Sequence, residues 1–117
     1  MDIINLTEGA FDKAIADGVT LVDFWATWCG PCKIMGELIE KQIAPQLEGT
    51  GVKIGKVNID DAPALAARFM VTSIPTLALF WNGELKETLV GVQDPPSEAR
   101  YGSHRPTALA FPTPLPP

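Results

Sequence analysis

The sequence predicts an α/β domain with a mixed central sheet that is flanked by helices. Short apolar runs alternate with segments of helical periodicity in the order β-α-β-α-β-α-β-β. Strands that are separated by helices favour parallel crossovers. The last two strands are instead joined by Asn82-Gly83, a pair typical of a tight hairpin turn. Parallel pairing in the first half and an antiparallel pair at the end therefore give a mixed sheet.

The chain begins with a strand, a helix and a second strand. Residues 3–5 are a short apolar segment that suits an edge strand. Thr7 is the expected N-cap of the first helix, which ends near Gly18. Residues 21–25 form a nearly continuous apolar run, as in strands that are buried on both faces, and only Asp23 interrupts it.

A long helix is expected next, over residues 29–47. Pro45 should bend this helix or end it, because proline has no amide hydrogen to donate. The apolar positions of the helix fall at helical spacing: Ile34, Leu38, Ile39 and Ile43.

The second half of the domain is predicted to contain three strands and one short helix. The strands lie at residues 52–59, 77–81 and 85–90, and the helix lies at residues 60–69. Pro63 suits the first turn of that helix. Four phenylalanines are expected in the core: Phe11, Phe24, Phe69 and Phe80.

Composition excludes several classes of protein. The apolar fraction of 46% and the charged fraction of 20% are close to the averages for soluble globular proteins. A net charge of −5 argues against a nucleic-acid partner. No apolar stretch approaches the ~18–20 residues of a membrane helix, and the first residues do not resemble a secretory signal. We therefore expect a cytoplasmic protein that binds neither nucleic acid nor membrane.

The prolines divide the chain into two parts. Residues 1–92 contain four of the eleven prolines, whereas residues 93–117 contain seven. Proline removes backbone donors, so the second part cannot form a long helix or a central strand. The sequence thus predicts a globular domain over residues 1–92 and a Pro-rich tail over residues 93–117.

Two cysteines lie where the second strand gives way to the long helix, in the segment Trp28-Cys29-Gly30-Pro31-Cys32. A thiolate at a helix N-terminus meets free amides and the positive end of the helix dipole, which lower its pKa. Two intervening residues allow the sulfurs to form a disulfide. Cys29, nearer the helix start, is the expected exposed nucleophile, and Cys32 is the expected resolving thiol in dithiol–disulfide exchange.

Other interpretations of the two cysteines are weaker. A metal site usually needs four ligands, and the chain offers one CxxC and a single, distant His104. A cluster that bridges two chains remains open. A purely structural disulfide would need an oxidising compartment, to which no leader segment points.

Four segments resemble the thioredoxin family, and they occur in the family's order. Residues 22–33, with the sequence VDFWATWCGPCK, are similar to the family's active-site segment. Residues 56–60, 74–77 and 80–83 match further family segments. The resemblance covers about residues 3–92 and implies the thioredoxin fold.

The resemblance also implies an activity, that of a protein-disulfide reductase. Its redox-active group would be the Cys29–Cys32 disulfide, with no bound cofactor and no metal. Disulfide-containing proteins would be the substrates, and an NADPH-dependent thioredoxin reductase would be the partner that restores the dithiol.

The same resemblance implies roles for two charged residues. Asp23 matches the family's buried aspartate, which is thought to help move the proton of the second cysteine. Lys56 matches the lysine near that aspartate. From the residues alone, Asp23 could also be a solvated acid on an edge strand, and Lys56 an ordinary strand lysine with a solvated tip.

The resemblance further implies a docking surface for substrates around the cysteines. Pro75 matches the family's cis proline, which leaves the preceding backbone free to pair with an extended substrate. A trans proline that begins an edge strand is the alternative. The residues expected to bind substrate are Trp28, Gly30, Pro31, Ile74, Pro75, Val90, Gly91 and Val92.

The sequence departs from the family at two places. Glu37 replaces a proline that kinks the long helix, so a straighter helix is expected. The Pro-rich tail replaces the amphipathic helix that would cover one sheet face. The tail's own apolar residues would then cover that face, or a second copy would, giving a homodimer. A thioredoxin-like binding or scaffold protein with impaired redox activity is therefore the alternative function.

Overall fold

The structure, a computed structural model, describes residues 2–93 and contains one five-stranded mixed sheet. The strands are β1 (Ile3–Asn5), β2 (Val19–Trp25), β3 (Lys53–Asn58), β4 (Thr76–Trp81) and β5 (Glu84–Val90). In sheet order they are β1, β3, β2, β4 and β5, with β1 paired to β3 and β3 to β2 in parallel. The β2–β4 and β4–β5 pairs are antiparallel. The predicted α/β class and mixed sheet are confirmed.

Helices cover both faces of the sheet. They are α1 (Phe11–Ile15), α2 (Gly30–Leu38), α3 (Ala44–Leu47) and α4 (Pro63–Arg68). On one face, Phe11 of α1 and Leu65 of α4 pack in one cluster with Phe24 and Phe80. On the other face, residues of α2 and α3 pack with strand residues: Met35, Leu47, Leu21, Ile54 and Leu77. The two clusters place β2 in the centre of the molecule.

The first helix begins later than expected, and the predicted N-cap at Thr7 is wrong. The residue at the N-cap is Ala10, which makes no side-chain capping bond. The Thr7 hydroxyl accepts a hydrogen bond from the Ala10 amide at 3.3 Å, and the Thr7 carbonyl accepts from the same amide at 3.2 Å. Thr7 therefore closes a turn ahead of α1.

The long helix is interrupted, and the interruption precedes Pro45. A π-helical turn spans Ile39–Ile43, in which the Ala44 amide donates to the Ile39 carbonyl. The wider turn lets the chain enter α3 with Pro45 in its first turn, where an amide hydrogen is not needed. The expected straighter helix is thus replaced by one with a local irregularity.

The buried face of α2 is shifted by one residue from the predicted face. Ile34 is 55% exposed, so its expected core position is wrong. Cys32 and Met35 are buried instead, and Ile39 and Ile43 continue the same face as predicted. A spacing of three or four residues fits both the predicted and the observed set of buried positions. The direction in which the chain leaves β2 decides which set faces the core.

The hairpin at Asn82-Gly83 is confirmed. Both residues have positive φ, +50° and +85°, as the tight hairpin turn requires. Among the expected core phenylalanines, Phe69 is partly buried and packs against Phe11 and Phe80, with ring centroids 5.4 and 5.1 Å apart.

The predictions for the Pro-rich tail fall on residues that lie outside the described part of the chain, apart from Gln93. The Gln93 amide donates a hydrogen bond to the Met35 sulfur at 3.3 Å, so the described chain ends beside α2. On the same sheet face, Val19, Leu79 and Leu89 are only partly buried. Within residues 2–93, no helix is long and apolar enough to cross a membrane.

Candidate active site

The two cysteines begin α2 and form a disulfide, with their Cα atoms 5.2 Å apart. Cys29 is the N-cap and has an extended backbone, φ −97° and ψ 110°. Its sulfur accepts a hydrogen bond from the Cys32 amide at 3.1 Å, as an N-cap oxygen does. Pro31 lies in the first turn, where its fixed φ suits a helix start. An amide and the helix dipole thus act on the Cys29 sulfur and favour its thiolate form.

Both sulfurs are buried in this oxidised state. Cys29 is 5% exposed and Cys32 is 3% exposed, so the expected exposure of Cys29 is wrong here. They pack on Ala26, with Trp25, Ile59 and Ile74 beside them. The Cys29 amide donates to the Ala26 carbonyl at 3.2 Å and closes the turn between β2 and α2.

The loop before β4 faces the cysteines. The Ile74–Pro75 peptide bond is cis, as the family resemblance implies, and the Ile74 carbonyl oxygen lies 4.0 Å from the Cys29 sulfur. The Pro75 carbonyl accepts a hydrogen bond from the Gly91 amide at 2.8 Å. This bond joins the segment Val90-Gly91-Val92 to the loop, so two of the segments that are expected to bind substrate lie together.

The backbone conformation explains the glycine at position 91. A Cβ at Gly91 would meet no atom within 4 Å among the described residues. Its φ of +91° is instead the constraint, because side chains disfavour the left-handed region.

Several exposed apolar side chains lie on the segments that surround the disulfide. Trp28 is 67% exposed, Val90 is 60% exposed and Val92 is 40% exposed. Gly30 and Pro31 are also exposed, whereas Ile74 is half-buried and Pro75 is buried.

Asp60 orients the Trp28 side chain, a role that sequence reasoning missed. The Trp28 indole Nε1 donates to the Asp60 carboxylate at 2.9 Å. Asp60 lies in a segment that carries the family resemblance, but no local signal links an acid to an indole 32 residues away.

Asp23 is a buried acid in the centre of the sheet, 1% exposed. It pairs with Lys56 on β3 and with Leu77 on β4, so the alternative of a solvated edge-strand acid is wrong. Leu77 packs in the same cluster as Met35, which places Asp23 on the face that α2 covers. Neither carboxylate oxygen has a hydrogen-bond partner among the described residues. Burial raises the pKa of Asp23 to about 7, and the opposing attraction of Lys56 is smaller.

Lys56 is partly buried and lies between Trp25 and α2. Its ammonium lies 4.5 Å from the centroid of the Trp25 ring, a cation–π contact. It also lies 3.7 Å from where a Cβ would stand at Gly36. A side chain there would be at ordinary contact distance, and the ammonium is close enough to Asp23 to lower the pKa of its carboxyl.

Metal chemistry finds no support in the part of the chain that the structure describes. No group of three or more His, Cys, Asp and Glu side chains there could hold a metal ion. His104 lies outside the described residues.

A bonded cysteine pair at a helix N-terminus, beside a cis proline on a mixed sheet, defines a thiol–disulfide oxidoreductase. The family model for thioredoxin matches residues 2–97, and the chain belongs to the thioredoxin family. The thioredoxins of Staphylococcus saprophyticus and Staphylococcus haemolyticus are both 46% identical to it over 93 residues, which span 80% of this chain and 88% of each relative. A thioredoxin of Staphylococcus aureus is 44% identical over the same shares.

Membership confirms the fold and the activity class that the sequence predicts. The chain is a dithiol–disulfide reductase, and the alternative of a binding or scaffold protein is not favoured. In a dithiol of this kind the helix start acidifies one thiol, and the surrounding protein sets the reduction potential of the pair.

Proposed function

We propose that Cys29 is the nucleophile of this reductase and that Cys32 is the resolving thiol. The Cys29 thiolate attacks one sulfur of a substrate disulfide and breaks the S–S bond, and the second substrate sulfur leaves as a thiolate that takes up a proton. Cys32 then loses its proton and attacks the Cys29 sulfur. The Cys29–Cys32 disulfide forms, and the substrate leaves with both of its sulfurs reduced.

The observation that carries this assignment is the hydrogen bond from the Cys32 amide to the Cys29 sulfur. A sulfur that caps the helix is favoured as a thiolate, whereas Cys32 lies one turn inside and receives no such bond from the described residues. The more acidic thiol is the one that exists as thiolate near neutral pH, so it attacks first.

Asp23 and Lys56 serve the second step. A carboxyl with a pKa of about 7 exchanges a proton near neutrality, as a general base for Cys32 must. Its place on the α2 face, where Cys32 is buried, supports this role. Lys56 lowers the pKa of Asp23 and thereby keeps part of it ionised near neutral pH.

Substrate binds across the surface that surrounds the disulfide. Backbone at Ile74, adjacent to Cys29, pairs with an extended substrate segment, and exposed apolar side chains hold its neighbours. The residues of this proposed docking surface are Trp28, Gly30, Pro31, Ile74, Pro75, Val90, Gly91 and Val92.

The proposed setting is the cytoplasm, with disulfide-containing proteins as substrates and an NADPH-dependent thioredoxin reductase as the partner. The domain over residues 1–92 would carry the activity, and the tail over residues 93–117 would lie outside it. Insulin reduction coupled to NADPH oxidation through a thioredoxin reductase tests this function. We expect turnover with the full chain, and its absence together with unreactive thiols would overturn the proposal.

Two single-cysteine variants test the assignment of roles. Cys32→Ser should accumulate a mixed disulfide with insulin, because the second step is blocked, whereas Cys29→Ser should accumulate none. Non-reducing mass spectrometry distinguishes the adducts. The reverse pattern would exchange the roles of the two cysteines.

A further inference from the structure

Helix α4 ends in a hydrogen-bonded motif that normally contains glycine. The Val71 amide donates to the Ala66 carbonyl at 2.8 Å, and the Met70 amide donates to the Ala67 carbonyl at 3.1 Å. This pair of bonds requires the residue between helix and loop to be left-handed, and Met70 has φ +54°. A side chain is disfavoured there because its Cβ crowds the following carbonyl oxygen.

The packing of Met70 does not compensate for this conformation. Its side chain is 83% exposed, the largest value among the exposed large apolar residues described. Its neighbours Phe69 and Val71 both pack against the core. The other non-glycine residue with positive φ in the described chain is Asn82, whose hairpin turn favours asparagine. Met70 therefore combines an unfavourable backbone with an unburied apolar side chain.

The position of Met70 along the chain limits its distance from the loop that faces the reacting sulfur. It precedes Ile74 by four residues, and the Ile74 carbonyl lies 4.0 Å from the Cys29 sulfur. Four residues span at most about 14 Å. An extended substrate advances about 3.3 Å per residue, so four substrate residues span a distance equal to the largest possible separation of Met70 from Ile74.

We propose that Met70 is a specificity-determining residue that contacts apolar side chains of protein substrates, three or four positions from their reactive cysteine. The inference rests on the proposed function and extends its docking surface beyond Ile74. A flexible, polarizable thioether suits contact with varied partners. Strained residues that contribute no packing are typical of binding sites, where the surrounding structure holds them in place.

Three variants of the full chain separate binding from stability. Met70→Gly and Met70→Asn remove the apolar side chain and relieve the strain of the left-handed backbone. Met70→Leu is the matched control, because it keeps an apolar side chain and the strained backbone. We expect KM for insulin to rise about 3- to 10-fold in the first two, with kcat unchanged, as loss of one partly buried apolar contact implies. Met70→Leu should stay within about 2-fold of the native protein.

Two further readouts exclude a merely structural effect. The rate with a small aromatic disulfide, 5,5′-dithiobis(2-nitrobenzoate), should be equal in all four proteins, because that substrate does not reach Met70. Relief of the left-handed strain should raise the melting temperature of Met70→Gly by about 3–8 °C, so weaker insulin binding would accompany greater stability.

The failures of the two proposals are distinguishable. An unchanged KM for insulin in Met70→Gly, measured beside normal turnover of the native protein, would overturn the role of Met70 alone. Pre-reduced native protein that leaves both insulin and the small disulfide intact would overturn the proposed function, and the role of Met70 with it.

Discussion

Replacement of Asp23 by asparagine should make the protein more stable at alkaline pH and leave its stability at acid pH unchanged. The native carboxyl has a pKa of about 7, raised from 3.8 by burial. Between these values the folded state holds a proton that the unfolded chain releases. Stability from this group is therefore fully present below about pH 4 and is lost as the pH rises through about 7. Asparagine carries no such proton, so Asp23→Asn lacks this pH dependence.

The magnitude follows from the displacement of the pKa. A rise from 3.8 to about 7 corresponds to about 4 kcal/mol. We expect the free energy of unfolding of Asp23→Asn to match that of the native protein at pH 4 and to exceed it by up to about 4 kcal/mol at pH 8 to 9. Because both proteins share every other titrating group, the difference between them isolates Asp23.

Equilibrium unfolding of the oxidised proteins in urea, from pH 4 to pH 9, measures this difference. Asp12→Asn is the matched control, since Asp12 is an exposed aspartate whose pKa is lowered by its hydrogen bond to Arg68. Because the pKa of Asp12 is at or below 3.8 in both the folded and the unfolded state, its removal should lower the free energy of unfolding slightly, by an amount that stays nearly constant from pH 4 to pH 9. Parallel curves for Asp23→Asn and the native protein across the whole range would refute a raised pKa at Asp23.

Three further outcomes are expected. Alkylation of the reduced protein near neutral pH should modify Cys29 first, as peptide mass spectrometry would detect, and preferential labelling of Cys32 would contradict the assignment of the nucleophile. Lys56→Met should move the pH midpoint of the Asp23 titration upward, because the attraction that lowers its pKa is lost, and a carboxyl signal in NMR that titrates as before would contradict this. Truncation after Gln93 should lower the melting temperature or cause association detectable by light scattering, if the tail covers the partly buried sheet face. A truncated protein that stays monomeric and melts no lower would show that the tail covers nothing.

The order and type of the elements could be predicted because each depends on a local pattern. The apolar run of β2 and the Asn82-Gly83 turn carry their signals within a few residues. The place of Cys29 at a helix start also follows locally, from a strand that ends just before it and a proline just after it. The cis bond at Pro75 is instead predicted by resemblance to a family.

The features that could not be predicted depend on contacts between distant segments, or on local conformations of nearly equal free energy. Whether Ile34 or Met35 faces the core depends on how α2 is rotated over the sheet, and helical spacing allows both. The π-helical turn ahead of Pro45 is one of several ways to accommodate that proline. A methionine in the left-handed position after α4 contradicts the local preference for glycine, so propensity alone cannot find it.

The outer edge of β5 has a consequence for how this protein meets other polypeptides. An edge strand exposes unpaired amides and carbonyls to which any extended chain can add. In β5, charged side chains occupy three of the seven positions: Glu84, Lys86 and Glu87. A peptide that added there would have to accommodate these charges, whereas the cysteine-facing loop at Ile74 presents an apolar residue. If substrates pair at Ile74 as proposed, these charges disfavour the competing addition at β5, and they also oppose aggregation through an edge that no other described strand covers.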